Sequence, residues 1–243
     1  MSKKIKIVSF KICPFVQRVT ALLEDKQIPY DLEYIKLSDK PQWFLDISPT
    51  GQVPVLITEN DQALFESDAI IEYIDETTAA LQPKLTAEQK ALNRAWSYQA
   101  SKHYLAQCST MRSVDKATLD QRLGNLAKSF AKAEQALASR TSQGRYFNGD
   151  ELSNVDIAWL PLLHRADIIR RHRCFDMLDG FPRVQQWQQA LLATGLAEKS
   201  VADDFESAFT DFYLSDQTYL GKGEDCTDPE SPCGSTQGSS TCC

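Results

Sequence analysis

Short apolar stretches with strand character alternate with amphipathic helical stretches over the first 80 residues. Residues 5–10, 30–37, 53–57 and 63–65 read as strands, because apolar and β-branched residues dominate or alternate there. After Pro14, apolar residues recur every three or four positions, which predicts a helix, and proline suits the first helical position. A short amphipathic piece over 41–47 and a helix that begins near residue 67 complete the pattern. The sequence therefore predicts an α/β domain over residues 1–80 with the order βαβ, α, ββα.

Nearly everything from residue 86 to residue 213 reads as helix. A long helix is predicted over 86–112. The next helix has apolar residues at alternating spacings of four and three, which is typical of a core-facing side: Leu119, Leu123, Leu126, Phe130, Ala133 and Leu137. Ser153 and Asp156 form a capping-box pattern that starts another helix. With further helices expected at 183–193 and 198–213, these residues predict an all-helical domain over 86–215.

The end of the chain, residues 221–243, is expected to be a disordered tail. Gly, Ser, Thr and Pro occupy more than half of its positions, so burial cannot offset the entropy cost of ordering it. Four of the seven cysteines lie here: Cys226, Cys233, Cys242 and Cys243. Their spacing is not that of a zinc ribbon. They could capture a soft metal or become glutathionylated, and the sequence leaves their role open.

Composition narrows the partners and the compartment. With 42% hydrophobic and 24% charged residues the chain has the profile of a globular protein, and its net charge of -7 argues against nucleic acid as a partner. No apolar run approaches the roughly 20 residues needed to cross a bilayer, and the N-terminus lacks a signal-peptide core. The scattered cysteines outside the tail fit a reducing compartment. We therefore expect a cytoplasmic protein without a membrane or nucleic-acid partner.

Cys13 is the candidate for chemistry, because it follows a predicted strand and immediately precedes Pro14 at the start of a helix. Free backbone N–H groups and the positive end of the helix dipole favour a thiolate there, which predicts a thiolate at neutral pH. Val16 stands where a C-x-x-C pair would have its second cysteine, so a disulfide within the motif cannot form. Exchange of one cysteine with an external thiol remains open. The three histidines show no metal-ligand spacing with a cysteine, so we predict no metal site.

Four blocks of sequence resemble the omega-like glutathione transferases. They are CPFVQR at 13–18, DKPQWF at 39–44, SPTGQVPVL at 48–56 and FESDAI at 65–70. The resemblance implies a thioredoxin-like domain that binds glutathione, followed by an all-α domain that shapes the pocket for the second substrate. It also implies a homodimer.

The resemblance assigns roles to individual residues. Val53 precedes what resembles the cis-proline of the family, Pro54, and its backbone would pair with glutathione as an added strand does. Glu66 and Ser67 would bind the γ-glutamyl end, with Ser67 capping its helix and holding a carboxylate. Lys40 and Leu37 would line the groove for the glycyl end, and Phe15 would lie beside the Cys13 sulfur. Without the resemblance, Ser67 reads as an ordinary helix cap and Glu66 as a solvated charge.

Together the residues and the resemblance predict a glutathione-dependent thiol transferase or reductase. Cys13 would attack a glutathionylated substrate or an electrophile such as dehydroascorbate, and glutathione would resolve the product. Two alternatives remain open: a reductase of glutathionyl-quinone conjugates, and a non-catalytic interaction protein on the same scaffold, similar to the starvation proteins that bind RNA polymerase.

Overall fold

A computed structural model describes residues 4–140 and 144–223. Its sheet has four strands: β1 (Ile5–Ser9), β2 (Tyr30–Tyr34), β3 (Val55–Ile57) and β4 (Ala63–Phe65). The strand order is β2-β1-β3-β4, with β1 parallel to β2 and antiparallel to β3, and with β3 antiparallel to β4. The sheet is therefore mixed, because a helical crossover joins β1 to β2 and a short turn joins β3 to β4.

Three helices belong to the same half of the chain: α1 (Pro14–Asp25), α2 (Gln42–Ile47) and α3 (Ser67–Thr77). Successive residues of a strand point to opposite faces of a sheet, and both faces are covered here. Ile7 and Leu56 pack into the large core that includes α1 and α3, whereas Val8 and Val55 pack against Phe44 of α2. The sheet is thereby held between helices on its two sides.

Seven helices follow in the described part of the chain. They are α4 (Ala87–Met111), α5 (Lys116–Ser139), α6 (Asn154–His172), α7 (Pro182–Leu192), α8 (Leu196–Lys199), α9 (Phe205–Tyr213) and α10 (Tyr219–Lys222). Helix α6 is buried along most of its length, and α4 packs along it. The Tyr104 hydroxyl donates to the Ala158 carbonyl, and the Gln107 side-chain amide donates to the Leu162 carbonyl at 2.9 Å. The seam of apolar residues predicted from Leu119 to Leu137 lies on α5, and most of these residues are buried.

The start of α6 confirms the predicted capping box. Asp156 is fully buried and accepts hydrogen bonds from the backbone N–H and the hydroxyl of Ser153, at 2.9 and 2.6 Å. The same carboxylate also accepts from the Phe147 amide at 2.8 Å and from the indole of Trp187 at 2.7 Å. One side chain therefore ties the turn before α6 and the middle of α7 to the start of α6.

The predicted fold class, an α/β thioredoxin-like part followed by helices, is confirmed, while two details of the sequence analysis are wrong. The helix expected over 198–213 is two helices, because the chain leaves α8 and docks on α1 before α9 begins: the Thr20 hydroxyl donates to the Ser200 carbonyl at 2.6 Å. The tail was expected from residue 221, yet α10 continues to Lys222, and Arg173 donates to the carbonyls of Leu220 and Gly221.

The domain boundaries at 1–80 and 86–215 stay predictions. The four tail cysteines, and the disorder expected for the tail beyond residue 223, lie outside the described residues. No helix within residues 4–140 and 144–223 is long and apolar enough to cross a membrane.

Candidate functional site

Cys13 occupies the junction between β1 and α1. After the strand ends at Ser9, a tight turn brings the Cys13 amide to 3.0 Å from the Phe10 carbonyl, and Cys13 takes an extended conformation as the N-cap residue of α1. Pro14 is the first residue of the helix, as the sequence predicts. The amides of Phe15 and Val16 approach the sulfur and favour its anion, although neither makes a regular capping hydrogen bond. The helix start thus supplies the donors that the motif requires.

The expectation of a thiolate at neutral pH is nevertheless wrong for the protein alone. Burial raises the pKa of the Cys13 thiol to about 11, which outweighs the opposing effects of the Phe15 and Val16 amides and of the Arg165 charge. The physical reason is desolvation, which disfavours the charged form of a thiol. Cys13 packs against the large core, and the Phe15 ring beside it contacts Tyr104 edge to face at 5.0 Å between centroids.

Arg165 of α6 brings a buried positive charge next to Cys13. Its side chain is fully buried, and its guanidinium donates to the Gln17 side-chain oxygen, to the Pro161 carbonyl at 3.0 Å and to the Ile12 carbonyl at 3.1 Å. All three acceptors are uncharged, and the guanidinium also lies over the Phe205 ring at 5.3 Å. A buried cation without an anionic acceptor favours negative charge nearby. No sequence motif marks Arg165 as a site residue, because only the packing of α6 against α1 brings it to Cys13.

A small cavity collects five of the eight predicted site residues: Phe15, Val53, Pro54, Glu66 and Ser67. Its volume is about 50 Å³, and Thr50 and Gln52 complete its lining. The Val53–Pro54 peptide is cis, as predicted. Thr50 and Gln52 were missed as site residues, although they belong to the 48–56 block; the Ser48 hydroxyl holds this turn, bonding the Gln52 amide at 3.1 Å and the Gln52 carbonyl at 3.0 Å.

The helix that begins at this cavity starts differently from the expectation. Glu66, not Ser67, is the N-cap residue of α3, and its carbonyl accepts the Ile70 amide at 2.9 Å. The prediction that Ser67 caps its helix is therefore wrong: Ser67 is the first helical residue, and it is buried. Glu66 has a φ of 67°, a left-handed conformation that costs a non-glycine residue about 1–3 kcal/mol and is frequent at binding sites. Its side chain is exposed at the cavity rim.

Three predicted site residues do not line this cavity. Cys13 lines a separate, smaller pocket with Lys11, Tyr34 and other residues. The Lys40 ammonium lies close to Gly51, 3.7 Å from the position that a Cβ would take there, so Lys40 reaches the turn that carries Gln52. Leu37 is 42% exposed at the surface. Within the described residues, no group of His, Cys, Asp or Glu side chains has the arrangement of a metal site.

The chain matches known proteins in both sequence and structure. Residues 12–77 match the N-terminal domain of glutathione S-transferases, and residues 116–190 match their C-terminal domain. Glutathione S-transferase omega-1 from Sus scrofa is 28% identical over 86% of this chain and 86% of its own length. Glutathione S-transferase DHAR2 from Arabidopsis thaliana is 29% identical over 78% of this chain and 84% of its own. The solved glutathione transferase Omega 3C from Trametes versicolor has a TM-score of 0.71 at 23% identity, covering 87% of this chain and 91% of that one.

The two domain matches together span more than half of the chain, which therefore belongs to the glutathione S-transferases. Within that family its sequence is omega-like, which confirms the resemblance drawn from the four blocks. The likeness to the Trametes structure supports the fold.

Proposed function

We propose that this protein is a cysteine-type glutathione transferase that carries out glutathione-dependent thiol transfer and dehydroascorbate-type reduction. The Cys13 sulfur attacks the sulfur of a glutathionyl mixed disulfide, the substrate leaves as a thiol, and glutathione stays bonded to Cys13. A glutathione thiol then attacks this mixed disulfide, releasing glutathione disulfide and restoring Cys13. Glutathione is the cosubstrate, and the reaction needs no metal. The observation that carries the proposal is the meeting of five predicted glutathione residues in one cavity beside the start of α1.

The cavity and the residues around it offer each part of glutathione a complementary group. The free N–H groups at the start of α3 and the Ser67 hydroxyl suit the γ-glutamyl carboxylate, and the Glu66 carboxylate at the rim suits its ammonium. The Val53 backbone suits the cysteinyl amide groups, in the manner of an added strand. Lys40, near Gly51, would reach the glycyl carboxylate. Leu37 lies exposed outside the cavity.

The raised pKa of Cys13 sets a condition on the first step. With a pKa of about 11 the sulfur is a thiol at neutral pH, so it must lose its proton as it attacks. The Arg165 charge and the amides of Phe15 and Val16 then stabilise the negative charge that develops on the sulfur. We infer that the site holds Cys13 in a protected form until a disulfide or an electrophile is bound.

Replacement of Cys13 tests this proposal. Cys13→Ser keeps the shape of the residue, but a hydroxyl cannot exchange with a disulfide, so thiol transfer and dehydroascorbate reduction should fall to background. Glutathione affinity, measured by calorimetry, should persist. Cys174→Ser is the matched control, because Cys174 is also a cysteine outside any disulfide but does not line the cavity or the Cys13 pocket. Retention of most of the activity in Cys13→Ser would overturn the proposal.

The same measurements separate the alternatives. A wild-type protein that neither binds glutathione nor turns over any thiol or quinone-conjugate substrate would favour the non-catalytic interaction protein. Turnover confined to glutathionyl-quinone conjugates would favour that reductase. A homodimer and a cytoplasmic location also belong to the proposal. Sedimentation of the purified protein would measure its oligomeric state, and fractionation of cells of the natural host would measure its location.

A further inference from the structure

A second cysteine, Cys108, lies on the face of α4 that meets the start of α1. Tyr104, one helical turn before Cys108, contacts Phe15 of α1, and residues i and i+4 share one face of a helix. Neighbouring Gln107 is fixed to the Leu162 carbonyl of α6, one turn before Arg165. Cys108 is a free thiol and, like Cys13, is partly exposed and packed against the large core. Helix packing therefore brings the two thiols to the same junction.

Both thiols lie within electrostatic range of the Arg165 guanidinium. Arg165 interacts electrostatically with Cys13 and Cys108 and with the hydroxyl of Tyr213, and it is bonded to the Ile12 carbonyl immediately before Cys13. The Tyr213 hydroxyl of α9 also lies close enough to Cys108 to interact with it electrostatically. Burial raises the pKa of Tyr213 above its usual range, so its hydroxyl remains protonated. The Arg165 charge therefore lies where it can stabilise the negative charge that develops on either sulfur during thiol exchange.

We propose that Cys108 is a second redox-active cysteine, which closes a disulfide with Cys13 by displacing glutathione from the Cys13–glutathione mixed disulfide. This inference rests on the proposed function, in which Cys13 first takes up glutathione. The missing cysteine at position 16 excludes a disulfide within the motif, but the fold supplies a partner from a distant helix. Cys108 thus gives the enzyme an internal route for resolving its intermediate.

The step balances in sulfur and protons. The Cys108 sulfur attacks the Cys13 sulfur, the bond from Cys13 to glutathione breaks, and glutathione leaves with the proton that Cys108 gives up. The oxidant is the glutathionyl disulfide that first reacted with Cys13. Two glutathione thiols later reduce the internal disulfide and leave as glutathione disulfide. When glutathione disulfide itself is the oxidant, one chain therefore releases two glutathione thiols if the internal disulfide forms, and one if it does not.

Peptide mapping tests the inference directly, because trypsin separates the groups of cysteines. Cys13, Cys108 and Cys174 fall on peptides 12–18, 103–112 and 174–183, and the four tail cysteines all fall on peptide 223–243. The full-length reduced protein is treated with glutathione disulfide, quenched with N-ethylmaleimide, digested without reductant and examined by mass spectrometry. Wild type and Cys174→Ser should show peptide 12–18 linked to 103–112. Cys108→Ser should instead keep glutathione on peptide 12–18 and release one thiol fewer per chain.

The outcomes distinguish the two proposals. If the Cys13–glutathione adduct is as long-lived in wild type as in Cys108→Ser, and no 12–18 to 103–112 link forms, the role of Cys108 is refuted while Cys13 remains the nucleophile. If peptide 12–18 stays unmodified in both proteins, the proposed function itself fails. A link from 12–18 to 174–183 or to 223–243 would also refute the assignment to Cys108.

Discussion

The raised pKa of Cys13 makes a sharp prediction for the pH dependence of its alkylation. Only the thiolate reacts with iodoacetamide, so the rate follows the thiolate fraction. While the pH stays below a pKa of about 11, the thiolate fraction rises tenfold for each unit by which the pH increases. The alkylation rate of Cys13 should therefore increase by about 100-fold between pH 7 and pH 9 and bend only near pH 11. The position of the bend does not depend on the intrinsic nucleophilicity of the sulfur.

The assay follows carbamidomethylation of peptide 12–18 in the ligand-free protein by mass spectrometry, with Cys13→Ser as the blank. Free glutathione, alkylated at each pH in parallel tubes without the protein, corrects for changes in the reagent. A thiol activated only by its place at a helix start would have a pKa between about 3.5 and 7.5 and would react at a nearly constant rate from pH 8 to pH 10. Such a flat profile would show that burial does not control this thiol and would refute the reasoning from desolvation.

Two further pairs of variants test binding and stability. Ser67→Ala removes a charge-assisted hydrogen bond worth about 1.5–3 kcal/mol, so glutathione affinity measured by calorimetry should weaken about 10- to 100-fold, whereas Ser139→Ala on the exposed end of α5 should leave it unchanged. Unaltered affinity in Ser67→Ala would remove Ser67 from the binding site. Asp156→Ala leaves four donors around α6 without their buried acceptor and should cost at least about 3 kcal/mol in urea unfolding, against about 1 kcal/mol for Ser153→Ala. Equal losses in these two variants would contradict the role of Asp156 as a shared anchor.

Local signals account for the parts of the fold that the sequence predicts well. The spacing after Pro14, the Ser153 and Asp156 pair and the seam on α5 each act within one or two helical turns, so they can be read without knowing the tertiary structure. The break between α8 and α9 could not be read in this way. It forms because the Ser200 region bonds to Thr20 of α1, a contact between residues far apart in the chain.

At the site, too, local sequence signals predict some features, whereas contacts between distant residues determine others. The five residues that share the cavity belong to the sequence blocks, whereas the pKa of Cys13 depends on helices of the other half of the chain, which bury the sulfur and bring Arg165 to it. The position of Glu66 at the N-cap depends on its left-handed backbone, which the sequence does not signal because glutamate rarely adopts it. No sequence motif marks Cys108, and only the packing of α4 against α1 and α6 places it near the start of α1.

Gln17 connects the reactive segment to the helices that follow it. Its side-chain nitrogen donates to His164 Nδ1 at 2.8 Å and to the Ala197 carbonyl at 3.3 Å, and its oxygen accepts from Arg165. Burial lowers the pKa of His164 to about 3, so the imidazole stays neutral and can accept this bond at any physiological pH. A chimaera that joins the first 80 residues of this chain to the helices of a relative would thus have to transfer residues 17, 164 and 165 as one unit. Without that transfer, the Gln17 side-chain amide, one helical turn from Cys13, would lose hydrogen-bond partners. Helices exchanged to alter the substrate would then displace Cys13 as well.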